Sequence, residues 1–423
     1  MMKKVLIIAH LFHASPRIPG LAKYLPKFGW QPIILTAPLG ENPDSHFGPP
    51  NDFKKNNRVI ETTGYSSSYG RRRLASKRYS CIKPFLKFFY RYYREIVYYP
   101  DSEKAWKTFA INSAENLLQN EEIDAIISCS SPVTVHIIAK ELKDKHNVSW
   151  IADFRDLWTQ NHNYQYSSFR KMFEKRLEIK TLAHADALVT VSPLWTKKLQ
   201  TLHKGKQVHT ITNGFDPEKM NDGTTKLVPN FTITYTGQIY KANQDASKIL
   251  IALSELISQK EIAPNDVKVR FYGPEDEELA IKIEELGLSA VVKQHGTVSR
   301  ETSFEKQRES QILLLFDWED RTEKGVIPGK IFEYFAAMRP ILCTGGFSGN
   351  VVEMLLKETN SGIYCPTIKE IKKALKELCS EYGSHKRVEY KGDLEKIKKY
   401  SYLEMARKFA QILESLTRNG GKN

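Results

Sequence analysis

Two successive runs of short apolar strands alternating with amphipathic helices constrain this chain more than any other feature. In the first run, residues 4–9, 32–36, 124–128, 149–153 and 187–191 read as strands, and 208–211 begins another. Residues 17–28, 105–118, 133–145 and 169–183 carry helical spacing between them. The rhythm restarts with strands at 232–235, 267–272, 291–295, 312–316, 340–343 and 362–364. Helices at 246–258, 275–286, 330–337, 351–357, 368–379 and 402–416 accompany them. Strand–helix alternation gives parallel sheets, because the crossover helices cover both faces. The expected fold class is α/β, with two Rossmann-like doubly wound domains facing a central cleft. The boundaries are a first domain over 1–211, a linker over 212–230, a second domain over 231–398, and a C-terminal helix over 399–423 packing back towards the first domain. The length of 423 residues suits two domains. Ligands of such sheets sit at the carboxyl ends of the strands, so two domains favour an enzyme that joins two substrates.

Charge is divided unevenly. Residues 1–210 hold 32 Lys+Arg against 18 Asp+Glu, whereas the remainder holds 31 of each. The whole excess of +14 therefore lies in the first half, which points to an anionic partner for that half alone. The five cysteines are widely spaced and form no CxxC pair, and no HExxH or His-x-His spacing occurs. No metal, no cofactor and no disulfide framework are expected, and a reducing, cytoplasmic compartment fits. No apolar run approaches the length of a membrane span. Met1–Ala9 imitates a signal peptide, but the apolar run is short and His10 interrupts it, so it reads as a buried first strand.

The residues able to carry chemistry follow strands. In the second half, Gly237 and Gln238 end one strand and Gly273 ends another; glycine there lets a ligand approach the backbone, or simply makes an ordinary turn. The segment from Lys324 to Ala337 is the sharpest. Pro328 and Gly329 open a helix whose N-terminal N–H groups and Lys330 favour phosphate. Glu333, one turn in, suits a ribose diol or stabilises the helix dipole. In the first half, Pro16, Arg17 and Gly20 open a helix after the first strand, with Arg17 placed to meet an anion. Ser130 ends another strand. Asp153, Arg155 and Asp156 follow a buried strand and are candidates for handling a sugar hydroxyl, against the alternative of a structural Asp–Arg salt bridge with a helix cap.

These motifs in this order resemble GT-B-fold glycosyltransferases. They are most similar to the retaining family 4 type that builds bacterial polysaccharides. The resemblance rests on Thr236-Gly237-Gln238-Ile239-Tyr240, Tyr272-Gly273-Pro274 and Ile327 through Ala337, with Asp153–Trp158, Ala185–Ser192 and Ile211–Asp216 in the same order. It implies transfer of a sugar from a nucleotide-diphosphate sugar to a glycan or lipid-linked acceptor, with retention and no metal. Glu333 matches the second glutamate of the family's pair and would hold the donor ribose; Gly325 stands where the first glutamate belongs. Gln238 stands where the family has Arg. Lys241 and Lys330 would meet the diphosphate, and Val298 and Ser299 match the segment that meets the base. Asp156 lines up beside the acceptor-side catalytic position, so that role lies among Asp153, Arg155 and Asp156.

The rival readings are a nucleotide-sugar epimerase or phosphorylase of the same fold, and a non-catalytic polysaccharide-related binding protein, which Gly325 and Gln238 keep open. A nucleic-acid partner is not expected, since the basic segment carries no such motif. Residues 71–100 instead carry nine Lys+Arg, one acidic residue and many aromatics. They are expected to dock the first domain peripherally on an anionic membrane surface, against the alternative of aromatics packed under the sheet.

Overall fold

Val5, Leu6, Ile7 and Ile8 are all wholly buried. A strand apolar on both faces belongs inside a parallel sheet covered by helices. The computed structural model, which describes residues 2–12, 15–39, 53–64, 84–162 and 166–419, has two sheets of this kind. The chain divides into one unit of Met1–Thr212 with Met405–Asn423, and a second of Asn213–Glu404.

The first unit contains β1 (Lys3–Ile8), α1 (Arg17–Tyr24), β2 (Trp30–Thr36), β3 (Arg58–Glu61), α2 (Pro84–Val97), α3 (Trp106–Asn120), β4 (Ala125–Ser130), α4 (Thr134–His146), β5 (Ser149–Phe154), α5 (Ser168–Leu182), β6 (Ala187–Thr190), α6 (Pro193–Leu202) and β7 (Val208–Thr210). Its seven described strands are ordered β3-β2-β1-β4-β5-β6-β7, all parallel. The strand order reverses between β1 and β4, and crevices for ligands form at such a point.

The second unit repeats the plan with β8 (Phe231–Thr236), α7 (Ser247–Ser258), β9 (Val267–Tyr272), α8 (Glu277–Glu285), β10 (Val292–Gln294), α9 (Arg300–Arg308), β11 (Ile312–Phe316), α10 (Lys330–Ala337), β12 (Ile341–Thr344), α11 (Val351–Thr359), β13 (Gly362–Cys365) and α12 (Ile368–His385). The order is β10-β9-β8-β11-β12-β13, again parallel, with the reversal between β8 and β11. The last helix, α13 (Tyr402–Asn419), is counted with the first unit from Met405 onward. There Lys3 Nζ donates to Glu414 and Thr417, both at 3.0 Å.

Several elements differ from the sequence expectation. The helix expected over 17–28 stops at Tyr24, and Leu25–Phe28 forms a tighter turn with Pro26 near its start, closed by Gly29 at φ +81°. The edge strand β3 and helices α6 and α9 were not expected. Residues 213–230 are not a free linker but part of the second unit. Gly214 is the reason at close range, since a Cβ there would collide with the Tyr400 carbonyl, while Phe215 pairs with Ser401. Asn221 donates from its backbone to Ala336 O at 2.8 Å and from its side chain to Ala337 O at 3.1 Å, closing the end of α10.

A buried histidine couples the first unit to pH. Trp150 Nε1 donates to Ser128 Oγ at 2.7 Å, and Ser128 Oγ shares a further hydrogen bond with His136 Nδ1, also at 2.7 Å. The ring stands 4.4 Å from that of Phe154, and burial lowers its pKa to about 3. The unfolded chain takes up a proton near pH 6.5 that the folded chain refuses until about pH 3, so this part of the stability is complete above 6.5 and falls away through that window. Denaturant unfolding of the first unit at pH 7 and pH 5 should show roughly 2 kcal/mol less acid loss in His136→Asn than in the native chain.

Candidate functional site

The second unit concentrates its unusual backbone at the point where its strand order reverses. β8 runs into Gly237, at φ +106°, a conformation that L side chains rarely adopt. A Cβ at Gly237 would also lie 2.7 Å from Lys330 Nζ. A Cβ at Gly273, after β9, would strike the Gly237 carbonyl oxygen. Two backbone turns and one lysine thus fill a space with no room for further side chains. A cavity of about 100 Å³ opens beside them, lined in part by Tyr235, Gly237, Gln238, Gly273 and Asp276.

Helix α10 explains itself residue by residue. Ile331, Phe332, Tyr334, Phe335, Ala336 and Ala337 are buried, leaving Lys330 and Glu333, three apart, on the same open side. The Tyr334 hydroxyl donates to Leu314 O at 3.0 Å and receives the Thr236 N–H at 3.4 Å, locking the helix to β11 and β8. Gly329 at the N-cap supplies no side-chain acceptor, and the N–H groups of Ile331 and Phe332 donate to Pro328 O and Gly329 O, both at 3.2 Å. Lys330 Nζ lies 5.4 Å from the Tyr235 ring, and among the described residues no hydrogen bond or ion pair reaches it. Burial lowers its pKa, with Glu333 opposing. A buried ammonium at the positive end of a helix that no side chain caps is a place for an anion.

Glu333 is half-buried. Its Oε1 is 3.8 Å from Arg300, and its Oε2 is 3.5 Å from Gln307 Nε2. Gln307 is wholly buried, donates to Thr236 Oγ1 at 2.9 Å, and leaves its Oε1 unpartnered. Neither Arg300 nor Gln307 was picked out from the sequence. Both lie on α9, whose only apolar residue within RETSFEKQR is Phe304, so no apolar stripe announces the helix. Its signals were the N-cap Ser299, which accepts the Thr302 N–H, Glu301 in the first turn and Lys306 and Arg308 in the last. Val298 is half-buried and Ser299 exposed at this helix start, and Pro328 and Gly329 open α10. Gln238 is exposed, and its carbonyl accepts from the Tyr235 hydroxyl at 2.7 Å. Lys241 is held by Asp276 at 2.9 Å and Glu278 at 3.3 Å, the Asp276 hydrogen bond raising its pKa. It is an ion-paired residue, not an open cation.

In the first unit the geometry redistributes the expected roles. Arg17 and Asp153 are both fully buried and joined by two hydrogen bonds, Nε to Oδ2 at 2.9 Å and Nη2 to Oδ1 at 2.8 Å. Arg17 also donates to Thr212 O at 2.8 Å, and its guanidinium lies 5.4 Å from the Phe409 ring. The Cys129 thiol donates to Asp153 Oδ2 at 3.1 Å, and burial with Asp153 alongside pushes its pKa well up. The anion for Arg17 is therefore Asp153, and Asp153 is a structural residue: the salt bridge is real, but its cation is Arg17, not Arg155. Arg155 donates to Ser130 O at 2.9 Å and to Ser131 O at 3.4 Å. Asp156 is exposed, with no hydrogen bond or ion pair among the described residues. Ser130 ends β4 beside the strand reversal, and its buried Oγ has no hydrogen-bond partner among the described residues. Pro16 caps α1 without a side-chain bond, and Gly20 is buried within it. Among the described residues no group of His, Cys, Asp or Glu is placed to hold a metal ion.

These placements separate Asp153 from Asp156. Asp153→Leu strands the Arg17 charge in the interior and should cost about 3–5 kcal/mol of stability. Asp156→Asn, at an exposed site, should stay within about 0.5 kcal/mol of the native chain by denaturant unfolding.

Residues 20–219 match the model of Glycosyltransferase Family 4. No curated protein matches the chain by sequence. The fold is similar to that of sucrose-phosphate synthase from Thermosynechococcus elongatus, with a TM-score of 0.67 at 12% identity over 99% of this chain and 100% of that one. It is similar to the lipopolysaccharide outer core galactosyltransferase WaaB, at 0.59 and 12% over 98% and 99%. It is also similar to Anabaena HepE in complex with UDP-glucose, at 0.60 and 12% over 98% and 100%. At such identities the likeness to these structures is one of fold; with residues 20–219 matching the Glycosyltransferase Family 4 model, the chain is a glycosyltransferase of the GT-B fold.

Proposed function

We propose that this glycosyltransferase takes a sugar, with retention, from a nucleotide-diphosphate sugar bound by the second unit and delivers it to a glycan or lipid-linked acceptor in cell-surface polysaccharide biosynthesis. The observation that carries the donor half is Lys330, an ammonium that no hydrogen bond or ion pair reaches among the described residues, at the start of α10 where no side chain caps the helix, packed against Gly237. A diphosphate there gains the lysine and the helix N–H groups, and the charge that develops on it as the sugar leaves is met by the same groups. Gly237 and Gly273 let it approach the backbone. Glu333 receives the ribose hydroxyls, releasing its loose contact with Arg300, while Gln307 holds the Oε2 side. Lys241 joins the diphosphate only by exchanging Asp276 and Glu278 for it. On the acceptor side Asp156 is the open carboxylate, Arg155 braces the Ser130 carbonyl, and Asp153 acts through structure alone. Residues 71–100 hold the first unit on an anionic membrane surface; Arg71, Arg72, Arg73, Lys77 and Arg78 lie outside the described residues.

A panel of nucleotide sugars should include one donor that raises the melting temperature in proportion to the logarithm of its concentration over Kd. Glu333→Ala should weaken that donor by roughly 1.5–3 kcal/mol, about 10- to 150-fold. Unchanged affinity in a folded variant would remove Glu333 from the site. Asp156→Asn should lower turnover while leaving donor affinity within about twofold, and a variant of full activity would return Asp156 to the plain surface.

A further inference from the structure

Helix α5 is built inside out. Its buried face carries, with Thr181 and Leu182 at its end, the charged residues Arg170, Glu174 and Glu178, four residues apart. They are satisfied by a polar network: Arg170 pairs with Glu174 at 2.8 Å, Trp158 Nε1 donates to Glu174 at 3.3 Å, and Glu178 receives the Thr159 N–H at 3.0 Å and contacts His203 at 3.3 Å. The opposite face carries Phe169, Met172, Phe173 and Ile179, spaced as one helical stripe and all exposed, Phe169 at 69%. An ordinary surface helix points its apolar stripe inward. Here charges anchor the helix and the apolar stripe faces out.

Among the described residues no ion pair reaches the cations on the outer side. Lys171, Lys175, Arg176 and Lys180 are exposed, whereas both glutamates of the helix are fully buried. The guanidinium of Arg176 lies 5.9 Å from the Phe173 ring. The neighbouring helix α2 repeats the arrangement, burying Glu95 and exposing Tyr93 and Ile96, the latter at 75%. The two helices are tied together: Ser167 N–H donates to Glu95 at 3.1 Å, and Arg170 donates to the carbonyls of Glu95 at 2.7 Å and Pro100 at 2.8 Å.

We propose that the outward face of α5, together with that of α2, is a docking surface for an anionic lipid bilayer, in which the exposed Phe, Met and Ile side chains enter the headgroup level and the four cations meet lipid phosphates. This rests on the membrane contact proposed for 71–100, which includes α2, and extends it to the apolar stripe and the cations of α5, which lie outside that segment. Charge decides the occupant. A second copy of the chain would bring one cationic face against another, whereas an anionic leaflet complements it. An apolar stripe flanked by Lys and Arg is the composition of helices that lie in a membrane interface.

The test is flotation of the full chain with phosphatidylcholine vesicles and with vesicles that also contain phosphatidylglycerol. The native chain should float only with the second. Lys171→Gln/Lys175→Gln/Arg176→Gln/Lys180→Gln, which keeps every apolar residue, and Phe169→Ser/Phe173→Ser should each lower the bound fraction at least about tenfold. Melting curves confirm that each variant is folded, and the charge variant alone suffices if the other is not. Equal binding to neutral vesicles, or binding that ignores the substitutions, overturns the proposal. So does a native dimer that Phe169→Ser/Phe173→Ser converts to a monomer without lipid binding. If changing Arg71, Arg72, Arg73, Lys77 and Arg78 to Gln abolishes flotation while the α5 variants do not, the contact at 71–100 stands and the one at α5 falls.

Discussion

The buried pair of Arg17 and Asp153 fixes the working edge of the first unit. One guanidinium collects the start of α1, the end of β5, the carbonyl of Thr212 and the ring of Phe409. These groups are far apart in sequence, so the pair closes long loops, and closing them is an entropic cost that a fully desolvated, doubly hydrogen-bonded ion pair is strong enough to offset. The exposed Asp156 and the braced Arg155 follow Asp153 within three residues. Their positions follow from a salt bridge that is fully buried.

The alternation of strands and helices was legible because period and burial coincide: Ile312–Phe316 is apolar throughout and wholly buried, as a central parallel strand must be. Helix α10 was legible for the same reason, its apolar residues leaving Lys330 and Glu333 as the two polar positions near its start. What escaped was structure without an apolar signature. Helix α9 has one apolar side chain and is recognised by its cap and terminal charges, so Arg300 and Gln307 were invisible until the coordinates set them against Glu333. Helix α5 was found, but its orientation was not. Spacing shows that a stripe exists, not which side faces the protein. The pairing of Arg17 with Asp153, separated by 136 positions, lies beyond any local pattern.

Buried charge is used in two opposite ways in this molecule. In α5 the charges are partnered, and they free an apolar face for other work. At Lys330, among the described residues, no hydrogen bond or ion pair meets the ammonium, and burial penalises its charged form. The first arrangement is finished on folding. The second becomes favourable only when an anion arrives, which is how a site holds affinity in reserve for its ligand.

The contact of Gly237 with Gly273 and Lys330 limits how this site can diversify. No side chain can be added at either glycine without displacing backbone or the lysine. Mutational drift is therefore blocked at the turn itself. On the proposed donor reading, new preferences for base or sugar would be written on the periphery, where Gln238 and Ser299 are exposed and Val298 is half-buried. Descendants of this chain with altered donor choice would keep the two glycines and the lysine as a fixed frame and differ at that rim.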